Sequence, residues 1–167
     1  FILLFFATVI SSCNKKDEFQ ECLNNPECEY FRCKVDGKLW RPDCESAFLG
    51  CDAVDVQYYR DLNGGGLEIL AANDLKESGF NLDVIGVNEI NKEYNFLFTE
   101  NIKPIYWDKL KYSSIFIDDT MQNSFIVITK LDTSKFIIEG QFEYYGINEE
   151  GIRIEATSGE FRQQYRF

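Results

Sequence analysis

The 167-residue chain has no histidine, one methionine, three prolines and only 17 basic residues against 28 acidic ones. Without histidine, Ser-His-Asp and Cys-His catalysis are excluded and the commonest metal ligand is missing. The shortage of basic residues leaves a net charge of -11. A surface of that sign repels phosphate backbones and anionic headgroups, which argues against nucleic acid as a partner and against electrostatic docking on membranes. Long apolar runs are scarce as well. The run FILLFFATVI at residues 1–10 falls well short of the roughly 20 residues that span a bilayer. No segment sustains helical periodicity, so a helical domain is not expected.

What is present is apolar and aromatic. A hydrophobic content of 45% with 16% aromatics can fill a real core, and the length suits one domain. Residues 1–10 match the apolar core of a secretory signal, here expected to begin partway through it, since a basic start and an initiator Met are missing. Ile10-Ser11-Ser12-Cys13 resembles a bacterial lipobox, which implies cleavage before Cys13 and lipid attachment there. More than one acyl chain makes such anchoring stable, at roughly 0.8 kcal/mol per buried CH₂. Asn14-Lys15-Lys16-Asp17-Glu18-Phe19 resembles the charged tag of Bacteroidetes-type lipoproteins exported to the surface. Residues 14–29 lack periodicity and read as a tether. The expected organisation is therefore a signal remnant over 1–12, a lipidated tether over 13–29 and a β domain over 30–167. The expected location is the outer membrane, periplasmic or, in preference, surface-exposed.

From residue 30 the pattern turns to short alternating runs divided by turn residues. Residues 31–35 alternate, Asp36-Gly37 marks a two-residue hairpin turn, and 38–41 return before Pro42. In that register Val35 pairs with Lys38 and Cys33 with Trp40, placing Phe31, Cys33, Val35 and Trp40 on one face. Further strands are predicted over 54–60, 67–72, 80–87, 94–99, 112–117, 124–131, 136–145, 152–157 and 159–167. The clearest is 136–145, with Phe136, Ile138, Gly140, Phe142 and Tyr144 on one side. A short helical turn is expected near 73–78 or 105–110. The fold class is all-β: an antiparallel meander closing into a β-sandwich or small barrel, a calycin-like barrel being the alternative.

Three pieces together resemble a group of uncharacterised Bacteroidetes-type lipoproteins. They are the hairpin from Phe31 through Val35-Asp36-Gly37-Lys38 and Trp40 to Pro42, the strand Ile138-Glu139-Gly140-Gln141-Phe142-Glu143-Tyr144, and the ending Gly159-Glu160-Phe161 with Tyr165. The resemblance implies the address and the fold; the group has no known activity, so it supplies no catalytic residue.

With Cys13 lipidated, Cys22, Cys28, Cys33, Cys44 and Cys51 remain, an odd number permitting at most two bridges. Extending the hairpin register brings Cys28 near Cys44, with Cys33 reaching Cys51; Cys22–Cys28 with Cys44–Cys51 is the other pairing. A zinc site is disfavoured because no C-x-x-C spacing occurs, so neither a metal nor another cofactor is expected. Asp61-x-Asn63-x-Gly65-Gly66 has the glycine of a calcium loop but Ala72 where a bidentate Glu belongs. Asp118-Asp119 and Glu149-Glu150 lie in turns, where acids are ordinarily solvated. Tyr58-Tyr59, Tyr106-Trp107 and Tyr144-Tyr145 each should place one ring on either side of a strand. Tyr106-Trp107, in an expected loop after Pro104, is the candidate binding pair.

These observations converge on a lipid-anchored, non-catalytic envelope module binding a glycan, a peptide or a partner envelope protein. The alternatives are a lipocalin-like carrier of a small apolar ligand and an unrecognised hydrolase.

Overall fold

The computed structural model describes residues 22, 25, 28–43, 53–59, 65–96, 104–112 and 114–167. Strands β1 (Tyr30–Val35) and β2 (Lys38–Trp40) form the hairpin. Val35 pairs with Lys38 and Cys33 with Trp40, the expected register. Asp36 and Gly37 take φ of 50° and 74°, the left-handed pair that a two-residue turn needs to match strand twist. Phe31, Cys33, Val35 and Trp40 are all buried, so the alternation assigned the core face correctly.

The chain continues through β3 (Val54–Tyr59), β4 (Gly66–Asn73), β5 (Ser78–Ile85), β6 (Glu93–Asn95) and β7 (Ile105–Asp108). It ends with β8 (Ser114–Asp118), β9 (Phe125–Asp132), β10 (Ile137–Ile147) and β11 (Arg153–Gln164). A 3-10 turn at Asp74–Lys76 joins β4 to β5, capped by Asn73 accepting from the Lys76 N–H. All named strand pairs are antiparallel, in the order β2-β1-β11-β10-β8-β7-β5-β4-β3. β9 shares β10 with β8 and carries β6 on its other side.

The order is not closed into a barrel: its ends are β2 and β3, and they do not pair. A parallel bridge from Gln57 to Arg166 and another from Asp43 to Asn73 tie down chain segments near those ends. The sheet instead folds over one core, as in a sandwich. Phe80 of β5 meets the rings of Trp40, Phe31 and Phe142 from the facing side at centroid distances of 5.0, 6.2 and 6.0 Å. The Trp40 indole N–H donates to Ser78 Oγ at 2.9 Å, and the Tyr144 hydroxyl to the Phe116 carbonyl at 2.8 Å. Each polar tip thus enters the core already satisfied.

Three expectations are corrected. The segment around Tyr106-Trp107 is not a loop or a helical turn but strand β7, zipped between β5 and β8. Its four residues gave too short a period to read beside Pro104. The two strands expected over 152–157 and 159–167 are one, β11, kinked at a bulge where Ser158 has φ of 53°. Phe136 lies outside β10 with φ of 56° and 45% exposure, because the turn before β10 takes it out of the alternating pattern.

Candidate binding face

The residues singled out by sequence are scattered. Cys13, Cys44 and Cys51 lie outside the described residues, as do Asp61 and Asn63. Cys22 and Cys28 form a disulfide, which selects the local pairing over Cys28 with Cys44. Cys33 is a free thiol buried in the core, so the Cys33–Cys51 pairing is overturned. The cause is the hairpin: position 33 faces Trp40 and Phe31, not the surface. Burial alone pushes its thiol up to about 12. Among the described residues no group of His, Cys, Asp and Glu is arranged to hold a metal ion.

The aromatic pairs divide as strand geometry requires. Tyr58, Tyr106 and Tyr144 are buried; Tyr59, Trp107 and Tyr145 stand half-buried on the outside. Tyr106 is therefore a core residue and not a surface-binding one. Its ring packs 4.7 Å from Phe80, and its hydroxyl donates to Asp108 Oδ2. Burial, with Asp108 beside it, raises the phenol far above its ordinary range.

Trp107 is different. It pairs with Gly79 on β5, and the indole lies against that glycine. A Cβ at position 79 would collide with the ring and come within 2.5 Å of the Ala71 carbonyl oxygen. One face of the indole is thus seated on bare backbone.

Register places Trp107 within an ordered set of rows on the outer face. One row runs Ala72, Gly79, Trp107, Ile115 across β4, β5, β7 and β8. The next runs Leu70, Asn81, Ile105, Ile117 and on to Ile147 of β10. Leu70 is 43% and Ile115 59% exposed. The four residues of the first row carry no charge, and the second meets one only at Asp55 at one end, paired with Arg166, and at Arg153 at the other, paired with Asp119.

A third row brings like charges together. Glu68 of β4 stands directly opposite Asp83 of β5, with Gln57 of β3 on its other side. Carboxylates directly opposite each other on neighbouring strands repel. Glu68 accepts from the Tyr59 hydroxyl at 3.2 Å, but Asp83 has no hydrogen bond or ion pair among the described residues. Burial, and secondarily Glu68, push the Asp83 carboxyl up to about 6. Beside it in the second row, Asn81 Oδ1 is buried without a hydrogen-bond partner among the described residues.

The outer face of β9, β10, β11 and β1 is built in the opposite way. Tyr30, Arg162, Glu139 and Lys130 form a row across it. Glu139 takes Arg162 at 3.1 Å and Lys130 at 2.9 Å, and the Arg162 guanidinium sits 5.5 Å from the Tyr30 ring centre. Burial alone would raise Glu139, but these two cations hold it below its ordinary range. Arg32 and Glu160 add a further pair at 3.1 Å. This is an ordinary solvated surface.

A separate cleft of about 460 Å³ opens where three turns meet, lined by Asp36, Asp119, Gln122, Tyr145, Arg153 and Glu155. Two of its acids, Asp119 and Asp36, are engaged. Asp119 accepts Arg153 Nε at 2.7 Å and the Met121 N–H at 3.1 Å, and Arg153 chiefly depresses its carboxyl. Burial would raise Asp36, yet Lys111, Tyr112 and the Glu155 N–H together hold it low. Asp118 is raised, chiefly by burial, a bond from Ser124 working against it and the Asp119 charge adding to it. Glu149 and Glu150 are exposed in the β10–β11 turn. Compared with known proteins, the chain matches no family model, no curated protein and no solved structure.

Proposed function

We propose that this chain is a lipid-anchored envelope protein whose β domain is a non-catalytic binding module, and that it binds through the outer face of β4, β5, β7 and β8. The observation that carries this reading is the contrast between the two outer faces. One is laced with ion pairs; the other presents Leu70, Ile105, Trp107, Ile115 and Ile117 in register with no charge among them. Apolar surface grouped in that way marks an interaction site. The anchor rests on Cys13 and its lipobox, and the address on the tag that follows.

The packing of the interior supports surface binding over the carrier alternative. Phe80, Tyr106, Phe116, Phe142, Tyr144 and Phe161 occupy the space a carrier would keep for its ligand. Glycan, peptide and partner protein are the ligand classes for the face, and the hydrolase reading lacks a free converging pair of acids in the described cleft.

Two experiments test the parts separately. Replacing Cys13 by Ser should move the protein from the membrane fraction to the soluble one; retention would overturn the anchor. Ile115→Asn, at an exposed position, should leave the fold intact and abolish retention of glycans or envelope proteins by the immobilised chain. Equal retention by both chains would overturn the assignment of the face.

A further inference from the structure

The geometry points to a basic, amphipathic segment of a partner protein as the occupant of this face, its apolar side chains on the Trp107 and Leu70 rows and a Lys or Arg over Glu68 and Asp83. This rests on the binding-face reading above and names the chemistry of the partner.

Composition separates a protein from a sugar. A sugar site needs polar groups converging beside each stacking ring, since every ring hydroxyl must be hydrogen-bonded. Around Trp107 the neighbours in register are Ala72, Gly79 and Ile115, and in the adjoining row Leu70, Asn81, Ile105 and Ile117, so a single polar side chain, Asn81, stands near the ring where a sugar would need several. Branched aliphatics beside one Trp, with charge excluded, is the make-up of the centre of a protein interface. Strand geometry sets the scale. Rows on one face lie about 6.6–7 Å apart, so Glu68 and Asp83 flank Leu70 and Asn81 at the spacing of alternate residues in an extended partner.

Charge selects the sign of the partner. Glu68 and Asp83 oppose each other across β4 and β5, and no cation answers Asp83 among the described residues. Cross-strand like charges are unfavourable, and the Asp83 carboxyl is partly withdrawn from water as well. A Lys or Arg between the two relieves both penalties. A second copy of this chain would instead bring a surface with net charge -11 and another Glu68–Asp83 pair against the first. Self-association through this face is therefore disfavoured.

The chain carries its own reporter. Of the two tryptophans, Trp40 is buried and Trp107 is half-exposed, so a ligand on the face shifts Trp107 emission to the blue. The full chain is titrated with a short alternating Leu–Lys peptide, its Leu–Glu counterpart, a Ser–Lys peptide of equal charge and a neutral oligosaccharide mixture. The proposal expects saturable binding of Leu–Lys with a blue shift, weakened at least about tenfold by Ile115→Asn and again by Glu68→Gln with Asp83→Asn. Equal binding of Ser–Lys would overturn it, because charge alone would then suffice. Binding of Leu–Glu or of oligosaccharides, lost in Ile115→Asn, would overturn the basic partner yet leave the face standing. A flat titration with every probe, or binding unaffected by Ile115→Asn, would remove both.

Discussion

Gly79 and Trp107 stand opposite each other on β5 and β7, and the indole of one fills the space where the other has no side chain. The glycine is what lets a large ring lie against the sheet. An aromatic over a strand glycine also covers backbone that would otherwise be exposed.

Gly79→Ala should therefore displace the ring. Because the new methyl meets the Ala71 carbonyl as well as the indole, the strand cannot absorb it by a side-chain shift alone. A loss of about 1–3 kcal/mol is expected in urea unfolding, with a red shift of native Trp emission. Unchanged emission would show that the indole is not seated there.

Two reciprocal pairs repeat the arrangement inside the core. Gly140 opposes Phe161, and Phe142 opposes Gly159, between β10 and β11. A Cβ on Gly140 would lie 2.6 Å from Phe161, and one on Gly159 2.5 Å from Phe142. Ala normally outperforms Gly in a strand by roughly 0.5–1 kcal/mol. Here Gly140→Ala and Gly159→Ala should each cost about 1–3 kcal/mol instead, measured by equilibrium denaturation.

Asp83 gives a pH signature. Its ordinary value is 3.8 and its folded value about 6. A carboxyl raised by folding favours the native state while it is protonated. That contribution is complete below the ordinary value and is lost as pH rises through about 6. Asp83→Asn should thus raise Tm by roughly 2–4 °C near pH 7.5 and leave it unchanged near pH 4, by differential scanning fluorimetry. A gap between the two chains that does not vary with pH would contradict the assignment.

Cys33 should be inert in the native protein. Its thiol is buried and pushed up to about 12, far from the thiolate that alkylating reagents need. Iodoacetamide at pH 8 should leave the Cys33 peptide unmodified in mass spectra and label it fully in denaturant. Native labelling would place the hairpin face wrongly.

Asp36 does more than turn a hairpin. Its carboxylate takes Lys111 Nζ and the Tyr112 hydroxyl, both at 2.9 Å, joining the β1–β2 turn to the β7–β8 turn. Asp36→Ala should cost about 2 kcal/mol, more than loss of turn preference alone, because two charge-assisted bonds go with it. Its depressed carboxyl also means that this share of stability is lost as pH falls through the lowered value.

Strict alternation made much of the fold legible. Phe31 to Trp40 and Ile138 to Tyr144 gave the core face because one side of each strand is wet, and period two then carries the information. The candidate face left a weaker mark. Ile69-Leu70-Ala71-Ala72, Ile105-Tyr106-Trp107 and Ile115-Phe116-Ile117 do not alternate, since each supplies apolar residues to both sides. Runs of that kind signal a strand covered twice, but they do not say which neighbours share the second side.

The hairpin register, the divided tyrosine pairs and the acidic surface were determined by the sequence itself, since they follow from nearest neighbours and composition. Which strands lie side by side was decided only in the tertiary structure. Local periodicity cannot place Glu68 opposite Asp83, or Trp107 between Gly79 and Ile115, because those positions meet through pairings of β4 with β5, β5 with β7 and β7 with β8. The side-chain pattern fixes which way a strand faces; the backbone hydrogen bonds between strands fix what it faces beside.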